Sequence, residues 1–474
     1  MSPKKSAKTQ YQPVDASPVK SFFVSMLTRD IKLEEAILDL LDNCVDGILR
    51  KKDKKHREVR PYEGFWAKID FGKDTFTISD NCGGIPWDLH DYAFRMGPPP
   101  DRPRDVPGTV GVYGIGMKRA IFKMGEECLI WTQNGEHAYE VELTPKWMRD
   151  EKDWFIPVKT ASQTMDEDGT TIMIGRLHPG IAASFKDDGL AFTNELKRMV
   201  ATHYAFIIEK GFKVEINGKT VKPRPTKLIF MEKPKGKDTI RPFIFKTTHN
   251  GVQIFLAVGF TRPIPSQDEV MEEQEEKRYS SIDAGWTVLC NDRAVLYCNR
   301  DELTGWGEAG VPRYHTQFIA ISGIVEFRAD DASKLPTTTT KRGIDAASPL
   351  YLQVKNKMRE GMSIFTDYTN KWKGRAEESR RHIEAGQPLS FGEIKNKSKE
   401  LSFTPIRRIV PRGEQYKPKL PMPPRMEPLE RRISFTRQVD EIRTVAEHLF
   451  KNPDEEPSKV GEKCFEVILR EARR

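Results

Sequence analysis

The stretch "EEAILDLLDNCVDGILRKK", Glu34 to Lys52, limits the fold more than any other part of the chain. Apolar residues recur at Ile37, Leu40, Leu41, Cys44, Val45, Ile48 and Leu49, the rhythm of a helix that buries one whole face. Such a helix must lie on a second layer of structure. Its other face carries Glu35, Asp39, Asp42, Asn43 and Asp46, with no Lys or Arg among them. Like charges one turn apart oppose a helix by about 0.2–0.5 kcal/mol per pair. Something outside the helix must offset that repulsion.

The second layer is legible as strands. "FWAKIDF" and "TFTIS" are joined by Gly72-Lys73-Asp74 as a hairpin, and "ECLIWTQ" turns at Asn134-Gly135 into "HAYEVEL", a strong short-range hairpin signal. Strand "TTIMIGRL", a helical region over about 183–210 and the hairpin "KVEINGKTVKP" complete an α+β layered domain. Residues 225–350 are again rich in strands. The acidic run "SQDEVMEEQEEKRYSS" within them reads as a solvated loop. Residues 351–385 read as a charged helix, residues 386–428 as an extended Pro-rich basic linker, and residues 429–474 as a small helical module. Residues 1–20 form an arm ahead of the first domain, 21–224.

Composition sets outer limits on function. The chain has 474 residues, ample for about three domains. Its 77 basic and 69 acidic residues leave a net charge of +8, which permits a nucleic-acid partner without demanding one. The six Cys form no CxxC pair and the nine His show no metal-ligand spacing, so a reduced compartment without structural zinc is expected. No apolar run is long enough to span a membrane. A cytoplasmic protein, or a nuclear one in a eukaryote, is the expectation.

Two glycine-bearing stretches give the acidic helix a purpose. In "ISDNCGGIP", Asp80 ends a strand ahead of Gly83 and Gly84, so a carboxylate is aimed into a pocket beside backbone that a flat ligand can approach. In "GTVGVYGIGMKRAIF", Gly111, Gly114 and Gly116 lead into a helix whose free N–H groups suit an anion. One stretch wants a base with an exocyclic amine and the other wants phosphates. A nucleotide with several phosphates arrives with Mg²⁺, which prefers oxygen ligands. Residues 39, 43 and 46 share one helix face, so Asn43 is placed to bind the metal and a carboxylate one turn earlier to orient water.

These motifs, in this order, resemble the GHKL superfamily of ATPases (gyrase, the heat-shock chaperone, histidine kinases and MutL), with the MORC branch the most similar. "AILDLLDNCVDG" is similar to the family's helical N-box, "DNCGGIPWDLHDYAFRMG" to its adenine loop, "GVYGIGMKRAIFKMG" to its glycine loop, and "DGTTIMIGRL" to the Gly-Thr strand that closes the adenine pocket. The resemblance covers about residues 20–350. It implies a Bergerat-type ATP-binding sandwich, a transducer-like α/β domain and a helical C-terminal region. It also implies ATP and Mg²⁺ as ligands, slow ATP hydrolysis, and pairing of two copies when ATP binds.

Carried over residue by residue, the nucleotide-contacting positions are Asn43, Asp46, Asp80, Gly84, Ile85, Gly111, Tyr113, Gly114, Ile115, Gly116, Met117, Lys118 and Thr170. Asn43 is the metal ligand. "FIAISGIVEFRADDASKLPTTTTKRGID" resembles the loop that brings a Lys to the terminal phosphate, here Lys341. Two positions depart from the family. Asp39 stands where Glu is usual, which leaves water activation to Asp39 or to Glu35 one turn back. Cys82 stands where Gly is common.

Plainer alternatives exist for each: Asp42 and Asp46 as a solvated helix face, the three glycines as a chain reversal, Asp80 as a turn cap, Lys341 as a surface Lys. Two functions follow from the resemblance. One is an ATP-gated dimeric clamp, with the basic residues of 386–428 and the tail favouring DNA. The other is a chaperone-like or scaffolding ATPase that acts on protein partners, reached through the C-terminal module.

Overall fold

The computed structural model describes residues 19–51, 60–95, 115–186, 190–233, 238–276, 283–338, 343–406, 412–424 and 433–473. The chain divides into two compact units, Met1–Met422 and Pro423–Arg474. The larger is a mixed α/β structure built on two large sheets, with a third of two strands.

The first sheet contains β1 (Trp66–Phe71), β2 (Phe76–Asp80), β3 (Gly125–Asn134), β4 (His137–Leu143), β5 (Val158–Thr160), β6 (Gly169–Leu177), β7 (Lys213–Ile216) and β8 (Lys219–Thr220). Their order is β5-β4-β3-β6-β2-β1-β7-β8, antiparallel except where β7 joins β1 in parallel. Both expected hairpins form, with Phe71 opposite Phe76 and Asn134 opposite His137, so the second turn is Gly135-Glu136, one residue later than expected. Alternate residues such as Ile69, Ile78, Cys128, Ile130 and Ile174 point to one face. They meet Ile37, Leu41, Val45 and Ile48 of the acidic helix in one core. Helices α1 (Lys20–Arg29), α2 (Leu33–Lys51), α3 (His90–Phe94) and α4 (Gly116–Met124) belong to this part of the chain.

The second sheet is covered on both faces. It contains β10 (Phe243–His249), β11 (Val252–Phe260), β12 (Gly285–Cys290), β13 (Arg293–Asn299), β14 (Ile321–Arg328), β16 (Thr404–Ile406) and β17 (Gly413–Tyr416). All six residues of β12 are buried, the run expected of a strand with no solvent face. Val258, Val288 and Val325 pack with Val354, Met358 and Phe365 of the long helix Pro349–Lys371. Their neighbours Ala257, Leu289 and Ile324 point the other way, toward Phe206 of the first domain and toward Phe391 and Ile394. The two domains therefore share one apolar layer.

Two stretches differ from the sequence expectation. The acidic run is a helix, Gln267–Glu276, at least over its first half. Ser266 and Glu269 form a reciprocal cap, backbone N–H of each to the side chain of the other at 2.9 and 3.2 Å. Acidic residues in its first turn suit the helix dipole.

The second difference is residues 386–428, expected as a linker. Gln387–Ser390 (β15) pairs with Lys227–Phe230 (β9), and the helix Phe391–Ser398 starts with a Ser390/Glu393 capping box. Strand β17 then adds to the edge of the second sheet beside β10, and β16 pairs outside it. Composition pointed to a linker because Pro, Arg and Lys dominate. The decisive residues are the few apolar ones, Phe391, Ile394 and Leu420, all of which are buried.

In the smaller unit the helices Val439–Phe450 and Pro457–Ala472 pair, burying Ala446 and Val460. No helix among the described residues is long and apolar enough to cross a membrane.

Phe391 sits edge-to-face on Phe206 and Phe255, with ring centroids 5.8 and 5.5 Å away. Phe391→Ala should cost about 3–5 kcal/mol in urea unfolding. A loss within about 0.5 kcal/mol, the usual surface effect, would return this segment to a linker.

Candidate functional site

The charges that answer the acidic stripe come from elsewhere in the chain. Asp39 pairs with the guanidinium of Arg119 in α4, 80 residues away. Asp42 accepts from Arg293 Nε at 2.6 Å, 251 residues away on β13, and from the Tyr204 hydroxyl. The Arg293 and Asp42 side chains are 2% and 0% exposed, so Asp42 is no solvated helix face. Asp46 is buried as well. The solvated reading failed because it judged the helix by its own residues alone.

Around α2, the other positions singled out in the sequence fall into place individually. Asn43 is half-buried, and its side chain has no hydrogen-bond partner among the described residues. Glu35 accepts the Lys32 backbone N–H at 3.1 Å and lines a cavity of about 390 Å³ with Glu195, Arg198, His203 and Arg293. Gly116 opens α4 against Asp39: a Cβ at Gly116 would lie 3.4–3.5 Å from Asp39 Cβ, Cγ and Oδ2. Farther along α2, a Cβ at Gly47 would stand 2.5 Å from the Cys82 carbonyl oxygen, so only Gly admits the loop after β2.

Asp80 ends β2 opposite Thr170 of β6. Its Oδ1 accepts the Cys82 backbone N–H at 2.7 Å, and its Oδ2 accepts the Cys44 thiol at 3.4 Å. Burial pushes the Asp80 carboxyl up to about 6, while those two hydrogen bonds pull the other way. The following loop is clamped by neighbouring strands. Gly84 has φ +65°, and a Cβ there would meet the Gln133 carbonyl oxygen at 1.9 Å. The Ile85 N–H donates to Thr132 Oγ1 at 2.9 Å, and Tyr139 Oη donates to the Ile85 carbonyl at 3.0 Å. Thr132 Oγ1 also lies 3.1 Å from Thr170 Oγ1, and Asn134 Nδ2 donates to the Gly83 carbonyl at 2.7 Å.

In α4, Ile115 stands at the cap position, and Met117 and Lys118 are buried behind Gly116. Burial holds the Lys118 amine down at about 8. Gly111, Tyr113, Gly114 and Lys341 lie outside the described residues. Among the described residues, no group of three or more His, Cys, Asp or Glu is placed to hold a metal.

The sequence reading missed Arg119, Thr132, Asn134, Gly47 and the polar use of Cys44. Arg119 carried a signal, since it lies three residues after Gly116 and so on the same side of the helix. Cys44 carried none, because its spacing matched the apolar face. No family model matches the chain, and no curated protein matches it either.

The Asp42–Arg293 pair yields a stability test. Asp42→Ala strands a buried guanidinium and should cost about 3–5 kcal/mol. Replacing both partners, with Asp42→Leu and Arg293→Met together, should recover most of that loss by urea unfolding. A double variant no more stable than Asp42→Ala would show that the charges are required in themselves.

Proposed function

We propose that the protein binds ATP with Mg²⁺ between α2, the loop Asp80–Ile85 and the start of α4, and hydrolyses it slowly, as a GHKL-type ATPase close to the MORC and MutL branch. One observation carries the reading: three separate sequence motifs meet around a single helix. Gly116 abuts Asp39, Cys44 holds Asp80, and Gly47 receives Cys82. The antiparallel sheet under α2, with Thr170 opposite Asp80, supports a Bergerat-type arrangement.

In this reading ionised Asp80 accepts from the exocyclic amine of adenine, and Gly84 and Ile85 let the ring approach the backbone. The N-terminal turn of α4, from Ile115 and Gly116 through Met117 and Lys118, faces the phosphates. Asn43 offers one side-chain oxygen. A single protein donor fits Mg²⁺, which keeps waters and phosphate oxygens as its other ligands. The metal supplies neutralisation of triphosphate charge. Asp39 lies against Gly116 at the start of α4 and takes the role of orienting water. Glu35 instead accepts the Lys32 N–H at the start of α2.

Pairing of two copies on ATP binding completes the proposal, with DNA as the material enclosed. Helix α1 exposes Phe22 and Met26, apolar surface that a second copy would cover. The opposite edge of α1 is anchored, since Lys20 Nζ donates to the Trp147 carbonyl at 2.8 Å. Lys341 would carry the nucleotide state to the second domain.

Calorimetry tests the pocket. Asn43→Ala should abolish Mg²⁺-dependent ATP binding. Affinity of the parent should be flat above pH 7 and fall as pH drops through about 6, where Asp80 takes up its proton. Asp80→Asn should bind more weakly with no such dependence, and an unchanged pH profile in that variant would misplace the adenine subsite.

Sedimentation with a non-hydrolysable ATP analogue tests the clamp. Monomers should become dimers, and Lys341→Ala should bind nucleotide yet stay monomeric. DNA retention should fall steeply with salt. A parent that stays monomeric with the analogue rules the clamp out.

A further inference from the structure

Arg119 forms an ion pair with Asp39, and its geometry is unfinished. Only Nη2 of the guanidinium reaches Asp39, although a carboxylate can engage this group through two parallel bonds. The Nε atom is buried without a hydrogen-bond partner among the described residues. A buried N–H left without an acceptor is uncommon and asks for a reason. The side chain is 16% exposed, against 5% for Asp39, so the guanidinium is the more accessible of the two. Its backbone is fixed, the Arg119 N–H donating to the Ile115 carbonyl at 2.9 Å one turn back at the start of α4.

We infer that Arg119 is a phosphate-binding residue that covers Asp39 until nucleotide arrives. This rests on the nucleotide reading above. A triphosphate offers several anionic oxygens in pairs that match the planar fork, and it outcompetes one carboxylate held by one arm. Once Arg119 turns to phosphate, its ion pair no longer competes with proton transfer to the Asp39 carboxylate. Water oxygen then bonds to the γ-phosphorus, the bond from that phosphorus to the β,γ-bridging oxygen breaks, and the water proton passes to Asp39. ADP and phosphate leave, Asp39 gives its proton up to water, and Arg119 returns to the ionised carboxylate. The arrangement keeps the water-activating group covered when no phosphate is present, and the same side chain then stabilises the charge that builds on the transferring group.

Lys118 is less suited to this exchange. It is 2% exposed in the preceding position, whereas Arg119 lies at the edge. An Arg also keeps its charge under all ordinary conditions.

The experiment compares adenosine with Mg²⁺–ATP on the full chain by calorimetry. Arg119→Ala should leave adenosine affinity within about twofold and lower ATP affinity about tenfold or more, the effect of one charge-assisted contact. Arg119→Lys should recover part of it. Asp39→Asn removes the competitor for the guanidinium. It should bind ATP several-fold more tightly than the parent while turnover falls about 10²-fold.

A ratio of ATP to adenosine affinity unchanged in Arg119→Ala would reduce Arg119 to a tether for Asp39. ATP binding no tighter in Asp39→Asn would equally overturn the covering role, and this arm stands even if Arg119→Ala fails to fold. A parent that binds adenosine and ATP equally well removes Arg119 alone. A parent that binds neither removes the nucleotide reading, and the role of Arg119 falls with it.

Discussion

The ion pair between Asp42 and Arg293 fixes how the acidic helix lies between the two sheets. Both groups are buried, and the Arg293 guanidinium also lies 4.9 Å from the ring centre of Tyr204. The turn that delivers Arg293 is rigid. Asn291 and Asp292 have φ of 48° and 72°, the left-handed pair of a tight hairpin. The Asn291 amide is tied to both the N–H and the carbonyl of Ala329. Asp292 beside it collects Tyr62, Lys210 and Arg328, which holds its carboxyl well below the usual range despite burial. Desolvating so many charges is costly, and apolar replacements of both partners often match such pairs in stability. What the pair supplies here is register, because an apolar contact would let α2 slide or turn.

That register matters because α2 meets a different neighbour at each step. Asp39 faces α4, Asp42 the second sheet, Cys44 the end of β2 and Gly47 the loop beyond it. A rotation of the helix by one residue, about 100°, would exchange all four. Any displacement of the second sheet acts on Asp42, and through the rigid helix on Asp39 and Asn43. In the proposed reading, this shared helix would link the nucleotide site to the second sheet directly, without a long chain of intermediates.

Local pattern accounts for much of the fold and for little of the pairing. The two hairpins and the apolar face of α2 were legible, because each depends on residues close in sequence. Arg119 and Arg293 were not legible as partners, because only the tertiary fold brings them to the acidic stripe. The helix at Gln267 and the structured part of 386–428 were missed for another reason. Each begins with Ser followed three residues later by Glu, a local cap signal that charge and Pro content overshadowed. Cys44 shows a limit of pattern itself, since a thiol fits an apolar stripe and still donates a hydrogen bond.

Asp80 shows the fold accepting a local cost. Burial pushes its carboxyl up to about 6, from the 3.8 of an unfolded Asp. Folding therefore favours the protonated form. The resulting stabilisation is full below the unfolded value and is lost as pH rises through about 6, a difference on the order of 3 kcal/mol. At neutral pH the protein thus keeps a carboxylate ionised where burial opposes it. Cys82 N–H and the Cys44 thiol reduce that penalty without removing it. An Asn at this position would have no charge to desolvate, so stability alone gives no reason for Asp. The residue makes sense if an ionised acceptor at the strand end serves a ligand with an N–H to give, and then acid strengthens the fold while it weakens the site.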